Sequence, residues 1–426
     1  MSELSYLEKL LDGVEVEWKM LGEVIHSLKT GLNPRQNFSL NTLDAQGYYV
    51  TVREIQNGKV VFLDKTDRVN DRALKIINGR SNLEAGDILF SGTGTVGRIA
   101  VIEENPINWN IKEGVYTIKP IKEKIAPRFL SYLLQSSKIV KDYSKKIVGN
   151  PVISLPMGDL KKLLIPIPCP DNPEKSLAIQ SEIVRILDKF TALTAELTAE
   201  LNMRKKQYNY YRDQLLSFDN EDVPHLPMGQ KDIGEFIRGG TFQKKDFMDA
   251  GVGCIHYGQI YTYYGTYTKK TKTHISAALA KKCKKAQKGN LIIATTSEND
   301  EDVCKAVAWL GSDDIAVSSD ACIYKHNLNP KYVSYYFQTE QFQNQKRQYI
   351  TGAKVRRVNA DNLSKILIPV PSMAVQERIV SILDKFDTLT NSITEGLPRE
   401  IELRQKQYEY YRDLLFSFPK PETASN

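Results

Sequence analysis

Ile183-Val184-Arg185-Ile186-Leu187-Asp188-Lys189-Phe190, followed by Arg204-Lys205-Lys206-Gln207-Tyr208-Asn209-Tyr210-Tyr211-Arg212-Asp213-Gln214-Leu215-Leu216-Ser217-Phe218, is a stretch that this chain uses twice. The second copy runs Ile379-Val380-Ser381-Ile382-Leu383-Asp384-Lys385-Phe386, then Arg404-Gln405-Lys406-Gln407-Tyr408-Glu409-Tyr410-Tyr411-Arg412-Asp413-Leu414-Leu415-Phe416-Ser417-Phe418. Around the first copy, apolar residues fall at Ile179, Ile183, Ile186, Phe190, Leu193 and Leu197, and the seam resumes at Tyr208, Tyr211, Leu215 and Phe218. Around the second they fall at Val375, Ile379, Ile382, Phe386, Leu389 and Ile393, then at Ile401, Tyr408, Tyr411, Leu415 and Phe418. Steps of four and three mark one face of a coiled-coil helix. Each seam needs a cover, and the economical cover is the other copy, antiparallel, because a globular stretch between them turns the chain round. About 40 residues rising 1.5 Å each make a strut on the order of 60 Å long. Gly396-Leu397-Pro398 predicts a break or kink in the second copy, since proline removes a backbone donor and clashes with the preceding turn. A plain helical hairpin would show the same seam, but identity at exposed positions such as Asp188-Lys189 and Arg212-Asp213 exceeds what core packing requires.

Each strut comes after a larger, dissimilar stretch, and these heads correspond faintly to one another. Leu160-Lys161-Lys162-Leu163-Leu164-Ile165-Pro166-Ile167-Pro168 answers to Leu363-Ser364-Lys365-Ile366-Leu367-Ile368-Pro369-Val370-Pro371, and Gly86-Asp87-Ile88-Leu89-Phe90-Ser91 to Gly289-Asn290-Leu291-Ile292-Ile293-Ala294. Short β-branched and aromatic runs such as Tyr48 to Val52, Asp87 to Ser91 and Arg98 to Ile102 predict a mixed, mostly antiparallel sheet in each head. One helix is expected over Arg128 to Ser144, and its counterpart over Lys331 to Tyr349. The predicted organisation is a first head at 1–172, a first strut at 173–218, a second head at 219–372, a second strut at 373–418 and a flexible tail at 419–426. A short helix within 1–12 is expected to echo a strut end, because Tyr6-Leu7-Glu8-Lys9-Leu10-Leu11 resembles Tyr211 to Leu216. The fold class is α+β, with two mixed-sheet domains in a pseudo-twofold relation, separated by two long helices that form an antiparallel coiled coil.

Composition narrows the function. The chain has 426 residues, 41% of them hydrophobic, and no apolar run approaches the roughly 20 residues needed to cross a bilayer. Its start lacks a signal sequence, so a cytoplasmic protein with no membrane partner is expected. Cys169, Cys254, Cys283, Cys304 and Cys322 are odd in number and lack C-x-x-C spacing, which argues for reduced, structural thiols and against a zinc module. With 58 Lys+Arg against 51 Asp+Glu the net charge is +7, a mild excess that permits polyanion binding. The excess is clustered at Lys138, Lys141, Lys145 and Lys146, at Lys269-Lys270-Thr271-Lys272, and from Lys281 to Lys288.

Catalytic signatures are scarce. Gly92-Thr93-Gly94-Thr95-Val96-Gly97 satisfies G-x-G-x-x-G, so a dinucleotide or S-adenosylmethionine site must be weighed. The next residues, Arg98 to Ile102, form a β-branched run where that fingerprint demands a helix, and a tight β-turn is predicted instead. The Asn-Pro pairs at Asn33, Asn150, Asn172 and Asn329 lack the second proline of an adenine methyltransferase loop. No Walker loop, nuclease constellation or histidine ligand spacing stands out, and no metal site is predicted.

Nucleic-acid contact suits the remaining groups better. Tyr257, Gln259 and Tyr261, with Tyr263, Tyr264 and Tyr267, interleave with Lys269, Lys270 and Lys272, offering donors, flat apolar surface and phosphate partners together. Thr351-Gly352-Ala353-Lys354-Val355-Arg356-Arg357 lies where the first head has Val148-Gly149-Asn150-Pro151-Val152-Ile153-Ser154. Lys354, Arg356 and Arg357 on a Gly-led loop suit a groove, since Arg can fork onto guanine or phosphate. Thr93, Thr95, Arg98, Lys141, Lys145, Lys146 and Asn150 are the DNA candidates of the first head. Helix-pairing or partner-binding positions are Ile183, Ile186, Phe190, Leu193, Tyr208, Tyr211, Leu215, Ile379, Ile382, Phe386, Leu389, Tyr408, Tyr411 and Leu415.

Two unlike heads alternating with two repeated helices, Gly-Asp-Ile-Leu-Phe-Ser and Gly-Thr-Val-Gly in the first head, Ile165-Pro166-Ile167-Pro168 before the strut, and Gln180, Glu182-Ile183-Val184 and Ile186-Leu187-Asp188-Lys189-Phe190 opening it, resemble the specificity subunit of type I restriction-modification enzymes. The resemblance spans essentially the whole chain, although the second head lacks the Gly-Thr-Val-Gly turn. It implies two target-recognition domains, each reading one half of an asymmetric, bipartite target in double-stranded DNA, with the paired helices setting the gap. It further implies two docked modification (methyltransferase) subunits, and restriction subunits for translocation and cleavage. S-adenosylmethionine, ATP and Mg would then belong to those partners, and this chain would hold no cofactor and catalyse nothing. A stand-alone DNA-binding or coiled-coil scaffold protein, or a methyltransferase using Gly92 to Gly97, are the alternatives.

Overall fold

The first strut is one continuous helix, Pro173–Ser217, of 45 residues. It starts where Asn172 Oδ1 accepts the backbone N–H of Lys175 at 3.0 Å, with Pro173 in the first turn, where a missing N–H costs nothing. The second strut is two helices, Met373–Asn391 and Gly396–Leu415. Between them the Ser392 hydroxyl accepts from the backbone of Thr394 and Glu395, turning the chain out of the helix. Gly396 has φ +78°, and a Cβ there would collide with the carbonyls of Thr388 and Leu389, so the predicted break needs its glycine. Ile393, placed in the seam by its spacing, lies in this break and is 79% exposed.

This computed structural model describes residues 6–34, 37–218 and 222–419. Residues 1–5 of the predicted N-terminal segment, the start of the second head at 219–221, and 420–426 of the predicted tail lie outside them. Contacts divide the chain into two units, Met1–Ala195 with Leu403–Asn426, and Glu196–Glu402, so the boundary falls inside the first strut helix. Each unit therefore holds a head, the first half of the strut that comes after it, and the second half of the other strut.

In the first unit the strands Ile25–Thr30, Val115–Pro120, Ile88–Ser91 and Ile99–Val101 form an antiparallel sheet in that order. A smaller sheet of Arg68–Val69, Gly47–Val50 and Trp109–Ile111 includes one parallel pair. The Ile-Pro-Ile-Pro segment is extended, and Leu164–Pro168 pairs with Val16–Met20. The helix Tyr6–Leu11 buries Leu7 and Leu11 in the same core as Phe90, Phe129, Ile179, Ile183 and Leu187. Leu415, Phe416 and Phe418 complete that core from the far end of the second strut.

The second unit repeats the plan with more strands. Gly234–Arg238, Ala321–His326, Leu291–Ala294, Ala306–Trp309 and Tyr267–Thr268 form one mixed sheet, and Thr273–Ile275, Val252–Ile255, Ile315–Val317 and Lys285–Ala286 another. Its core joins Ile293, Tyr324, Tyr332 and Tyr336 to Ile379, Val380 and Leu383, with Leu216 and Phe218 from the end of the first strut.

The strut halves pair in each unit. Phe190 stacks on Tyr411 with ring centroids 5.3 Å apart in the first, and Tyr211 lies 5.7 Å from Phe386 in the second. In both, the early half of one strut meets the late half of the other, which is antiparallel pairing. Two departures from the predicted seam have one cause. Leu187 and Leu383 are fully buried although the four-three spacing passes over them, while Leu193 is 37% exposed and Tyr211 45%. A strut helix is covered by the head on one side and by the other strut on the next, so its buried stripe is wider and shifted from a two-helix seam.

The single helices expected over Arg128 to Ser144 and Lys331 to Tyr349 are each two helices: Pro127–Leu134 and Ser137–Ser144, and Pro330–Tyr336 and Glu340–Arg347. The hydroxyls of Ser136 and Thr339 donate to Leu133 O and Tyr336 O, each at 2.7 Å, which satisfies a carbonyl at the end of the first helix. A strut carboxylate then takes the first free N–H of the second helix: Ser137 donates to Asp413, and Glu340 to Asp213.

Candidate nucleic-acid interface

In both heads the second helix of the pair runs into a tight Gly-led hairpin. In the first head Val148 and Ser154 exchange backbone hydrogen bonds at 2.9 and 2.7 Å, and Gly149 has φ +104°. In the second, Thr351 and Arg357 do the same at 2.9 Å each, and Gly352 has φ +92°. A Cβ on Gly149 would strike the Val152 carbonyl, and one on Gly352 the Val355 carbonyl, so both hairpins are led by a turn that only glycine fits, although the first alone holds a cis peptide, Asn150–Pro151. Their side chains are unlike. The first presents Asn150, Pro151, Val152 (62% exposed) and Ile153; the second presents Lys354, Val355 and Arg357, all exposed.

Each hairpin lies on the connection that leaves the central sheet strand. In the first head Gly94 N–H donates to Ile153 O at 2.8 Å, and the hydroxyls of Thr93 and Ser154 are 3.1 Å apart. The connection from Gly92 to Arg98 joins two antiparallel strands, with Arg98 N–H on Ser91 Oγ at 2.7 Å, and no helix begins there. The helix N-terminus that a nucleotide-phosphate fingerprint needs is therefore lacking at this turn. Thr95 is exposed beside the hairpin, and Arg98 donates to Val52 O at 3.0 Å. Lys145 and Lys146 sit between the helix end and the hairpin, and Lys141 is exposed on the helix itself. Thr93, Thr95, Asn150, Lys145 and Lys146 thus come together.

In the second head the corresponding connection, residues 295–305, pairs Thr296–Ser297 with Arg356–Arg357. Arg356 is held from both sides, by Asp300 at 2.7 Å and by the Gly352 carbonyl, whereas the Arg357 side chain is exposed. Lys346, 0% exposed, donates to Val303 O at 2.8 Å and Glu301 O at 3.1 Å. Burial pulls its pKa below the usual lysine value, with the nearby Cys304 and acidic groups opposing this. Tyr143 holds the matching helix position in the first head, beneath Gly97. A buried ammonium binding loop carbonyls therefore stands where the first head uses a glycine turn packed on a phenol.

The helix Tyr257–Thr262 lies beside this ribbon, with the Tyr261 hydroxyl donating to Thr296 O at 2.8 Å. Gln259 faces inward: its Oε1 accepts from His256 N and its Nε2 donates to Thr273 Oγ1. Both side chains are spent on shaping the head, and Tyr257 is half-buried. Lys269, Lys270 and Lys272 are exposed, and Lys272 Nζ lies 4.5 Å from the Tyr263 ring centroid. An aromatic group that sequence spacing did not single out occupies the first head: Tyr48 stacks on Phe62 at 4.3 Å, and Arg68 lies 4.5 Å from the Tyr48 centroid. Just past the short strand Lys59–Val60, the apolar residues Val61, Phe62 and Leu63 are exposed.

The predicted pairing residues divide. Ile183, Ile379, Tyr208, Tyr408 and Leu415 are buried; Ile186, Phe190, Leu215, Ile382, Phe386 and Leu389 are half-buried; Leu193, Tyr211 and Tyr411 are exposed. Tyr210 and Tyr410, identical in the two copies, are 61% and 64% exposed. Among the described residues no group of His, Cys, Asp and Glu could hold a metal, no helix is long and apolar enough to cross a membrane, and the cysteines are free.

Comparison with known proteins agrees with this architecture. A family model described as "Type I restriction modification DNA specificity domain" matches residues 14–204 and 227–403, once per head with its adjoining strut. The chain is 40% identical over 437 residues, spanning 100% of both chains, to the "Type I restriction enzyme EcoR124I/EcoR124II specificity subunit" of Escherichia coli. It is 32% identical over 436 residues to a "Putative type I restriction enzyme specificity subunit" of Haemophilus influenzae, covering 97% of this chain and 98% of the other. In fold it is similar to a chain from a structure titled for complex assembly and conformational transition of the type I R-M system, with a TM-score of 0.62, 15% identity, and coverage of 94% and 97%.

Proposed function

This chain belongs to the family of type I restriction-modification DNA specificity subunits, the non-catalytic recognition components of such systems, and we propose that each head reads one half of a bipartite duplex target. The observation that carries this is the pair of hairpins 148–154 and 351–357: the same closing backbone pair and the same leading glycine in both heads, with unlike side chains. That is what two different half-sites ask of one scaffold. Asn150, Thr93 and Thr95 would reach base edges in the first half-site, with Lys141, Lys145, Lys146 and Arg98 on the backbone. In the second, Arg357 and Lys354 would enter the groove and Lys269, Lys270 and Lys272 would meet phosphates, with Arg356 shaping the loop rather than reading. Each mismatched base pair would cost about 1–3 kcal/mol.

The struts would fix the gap between half-sites. Their outward faces, which share exposed Lys206, Tyr210 and Tyr211 with Lys406, Tyr410 and Tyr411, would dock two copies of one modification subunit, and restriction subunits would join the complex. S-adenosylmethionine, ATP and Mg would be bound by those partners, and the target adenine flipped out by them.

Exchanging residues 1–170 for the head of a relative, in a chain expressed with its partner subunits, tests this by mapping methylated adenines. One half of the methylated sequence should change and the other stay; change in both halves rejects independent heads.

A further inference from the structure

The helices that end in the hairpins begin at carboxylates supplied by the struts. Ser137 donates its backbone N–H to Asp413 Oδ1 at 2.9 Å and its hydroxyl to Asp413 Oδ2. Glu340 donates its N–H to Asp213 Oδ1 at 3.2 Å. Both aspartates are steadied by the arginine before them, Arg212 at 3.1 Å from Asp213 and Arg412 at 3.4 Å from Asp413. Those guanidinium groups lie 5.6 and 5.4 Å from the ring centroids of the buried Tyr208 and Tyr408. The same tyrosines touch their heads: Tyr208 donates to Gln338 at 3.2 Å, and Tyr408 lies 6.4 Å from Tyr132. A carboxylate at a helix start satisfies an orphan N–H and faces the positive end of the dipole. Each capped helix has 8 residues, so its first turn is a large part of it, and its last turn leads within a few residues into the hairpin.

We propose that Asp413 and Asp213 are positioning residues for target readout, each aiming the hairpin of the head in its own unit. The assignment crosses the chain. Asp413, in the last strut, serves the first head, and Asp213, in the first strut, serves the second. The proposal rests on the hairpins being readers, and it accounts for the identity of Arg-Asp in the two strut copies, which pairing of the helices does not require.

The two caps are unequal. Thr339 also caps its own helix, its hydroxyl accepting from Phe342 N–H at 3.2 Å, whereas the Ser136 hydroxyl points back to Leu133 O and caps nothing. The first head therefore depends on its strut aspartate more than the second does.

The test uses the full chain assembled with its modification subunits and compares Asp413→Ala, Asp413→Asn and Asp213→Ala by hydrogen exchange and by methylation mapping. Asp413→Ala should speed amide exchange in 148–154 by about fivefold and leave 351–357 at the parent rate. Asp213→Ala should act on 351–357 alone, by less. Asp413→Asn, which keeps an acceptor for the Ser137 N–H, should restore most of the protection, and it remains informative if the alanine variant fails to fold. Parent exchange in 148–154 for Asp413→Ala, or equal loosening of both hairpins, overturns the proposal. Where exchange responds as expected, relaxation of one half of the methylated sequence upholds the hairpin as reader. A loosened hairpin with an unchanged sequence instead leaves the coupling standing and removes the hairpin from readout.

Discussion

Tyr335 donates its hydroxyl to Asp384 Oδ1 at 2.7 Å, tying a fully buried tyrosine of the second head to the strut that comes after it. Lys331 meets the same carboxylate at 2.6 Å, and in the first unit Tyr132 and Arg128 bind Asp188 at 2.7 and 2.8 Å. The aspartate of the Asp-Lys-Phe triplet common to both strut copies thus clasps head to strut. Tyr335→Phe should lower stability by about 1–2 kcal/mol in denaturant unfolding, since the carboxylate keeps Lys331 but loses a buried donor. A loss below a few tenths would mean the clasp is idle.

Gly149→Ala puts a Cβ against the Val152 carbonyl at φ +104°. A cost of about 1–3 kcal/mol is expected for forcing the hairpin, with the first half of the target relaxed and the second unchanged in methylation mapping. Gly352→Ala should do the reverse.

Lys346→Met leaves the carbonyls of Val303 and Glu301 without their buried donor. About 1–3 kcal/mol should be lost, and readout by the second head should weaken, because the freed loop carries Asp300, which holds Arg356. Equilibrium binding to duplexes altered in one half at a time separates this from general instability, since first-half discrimination should persist.

His326 supplies a pH dependence. Both its ring nitrogens are buried without a well-formed hydrogen bond, and burial holds its pKa at about 4, with the Leu328 backbone opposing slightly. Between that value and 6.5 the unfolded chain binds a proton that the folded head does not, so stability falls as pH drops through this window. At pH 5 the loss should be about 2 kcal/mol. His326→Phe should flatten this slope between pH 6.5 and 4 in urea titrations; an unchanged slope would assign it to other groups.

Four residues inserted into each strut, about one helical turn, would lengthen the pair by about 6 Å while keeping its faces aligned. Methylation mapping should then find the same half-sequences separated by one or two more base pairs, at about 3.4 Å each. Unchanged spacing would show that something other than the struts sets the gap.

Much of this was legible from residue order because it depends on local rules. Helical spacing marks the struts, Gly396 and Pro398 mark the break, and alignment of Gly149 with Gly352 finds the hairpins. What escaped depends on neighbours remote in sequence. Leu187 and Leu383 look like seam-flanking residues until a head covers them. The helix from Arg128 to Ser144 reads as continuous, because the carboxylate that starts its second half comes from Asp413. Gln259 and Tyr261 have the composition of a nucleic-acid surface, yet their polar atoms meet Thr273 and Thr296. Lys346 is the converse, a lysine that composition assigns to solvent and that loop carbonyls draw into the core.

The first head shares its core with Leu415, Phe416 and Phe418, while the second unit is one uninterrupted segment. During synthesis the later head can therefore mature while the earlier one still waits, its apolar face around Phe129 and Ile183 unshielded until the ribosome has made nearly the whole chain. A product that stops between Glu402 and Leu415 would carry a complete second unit and a first head whose apolar face still lacks its cover.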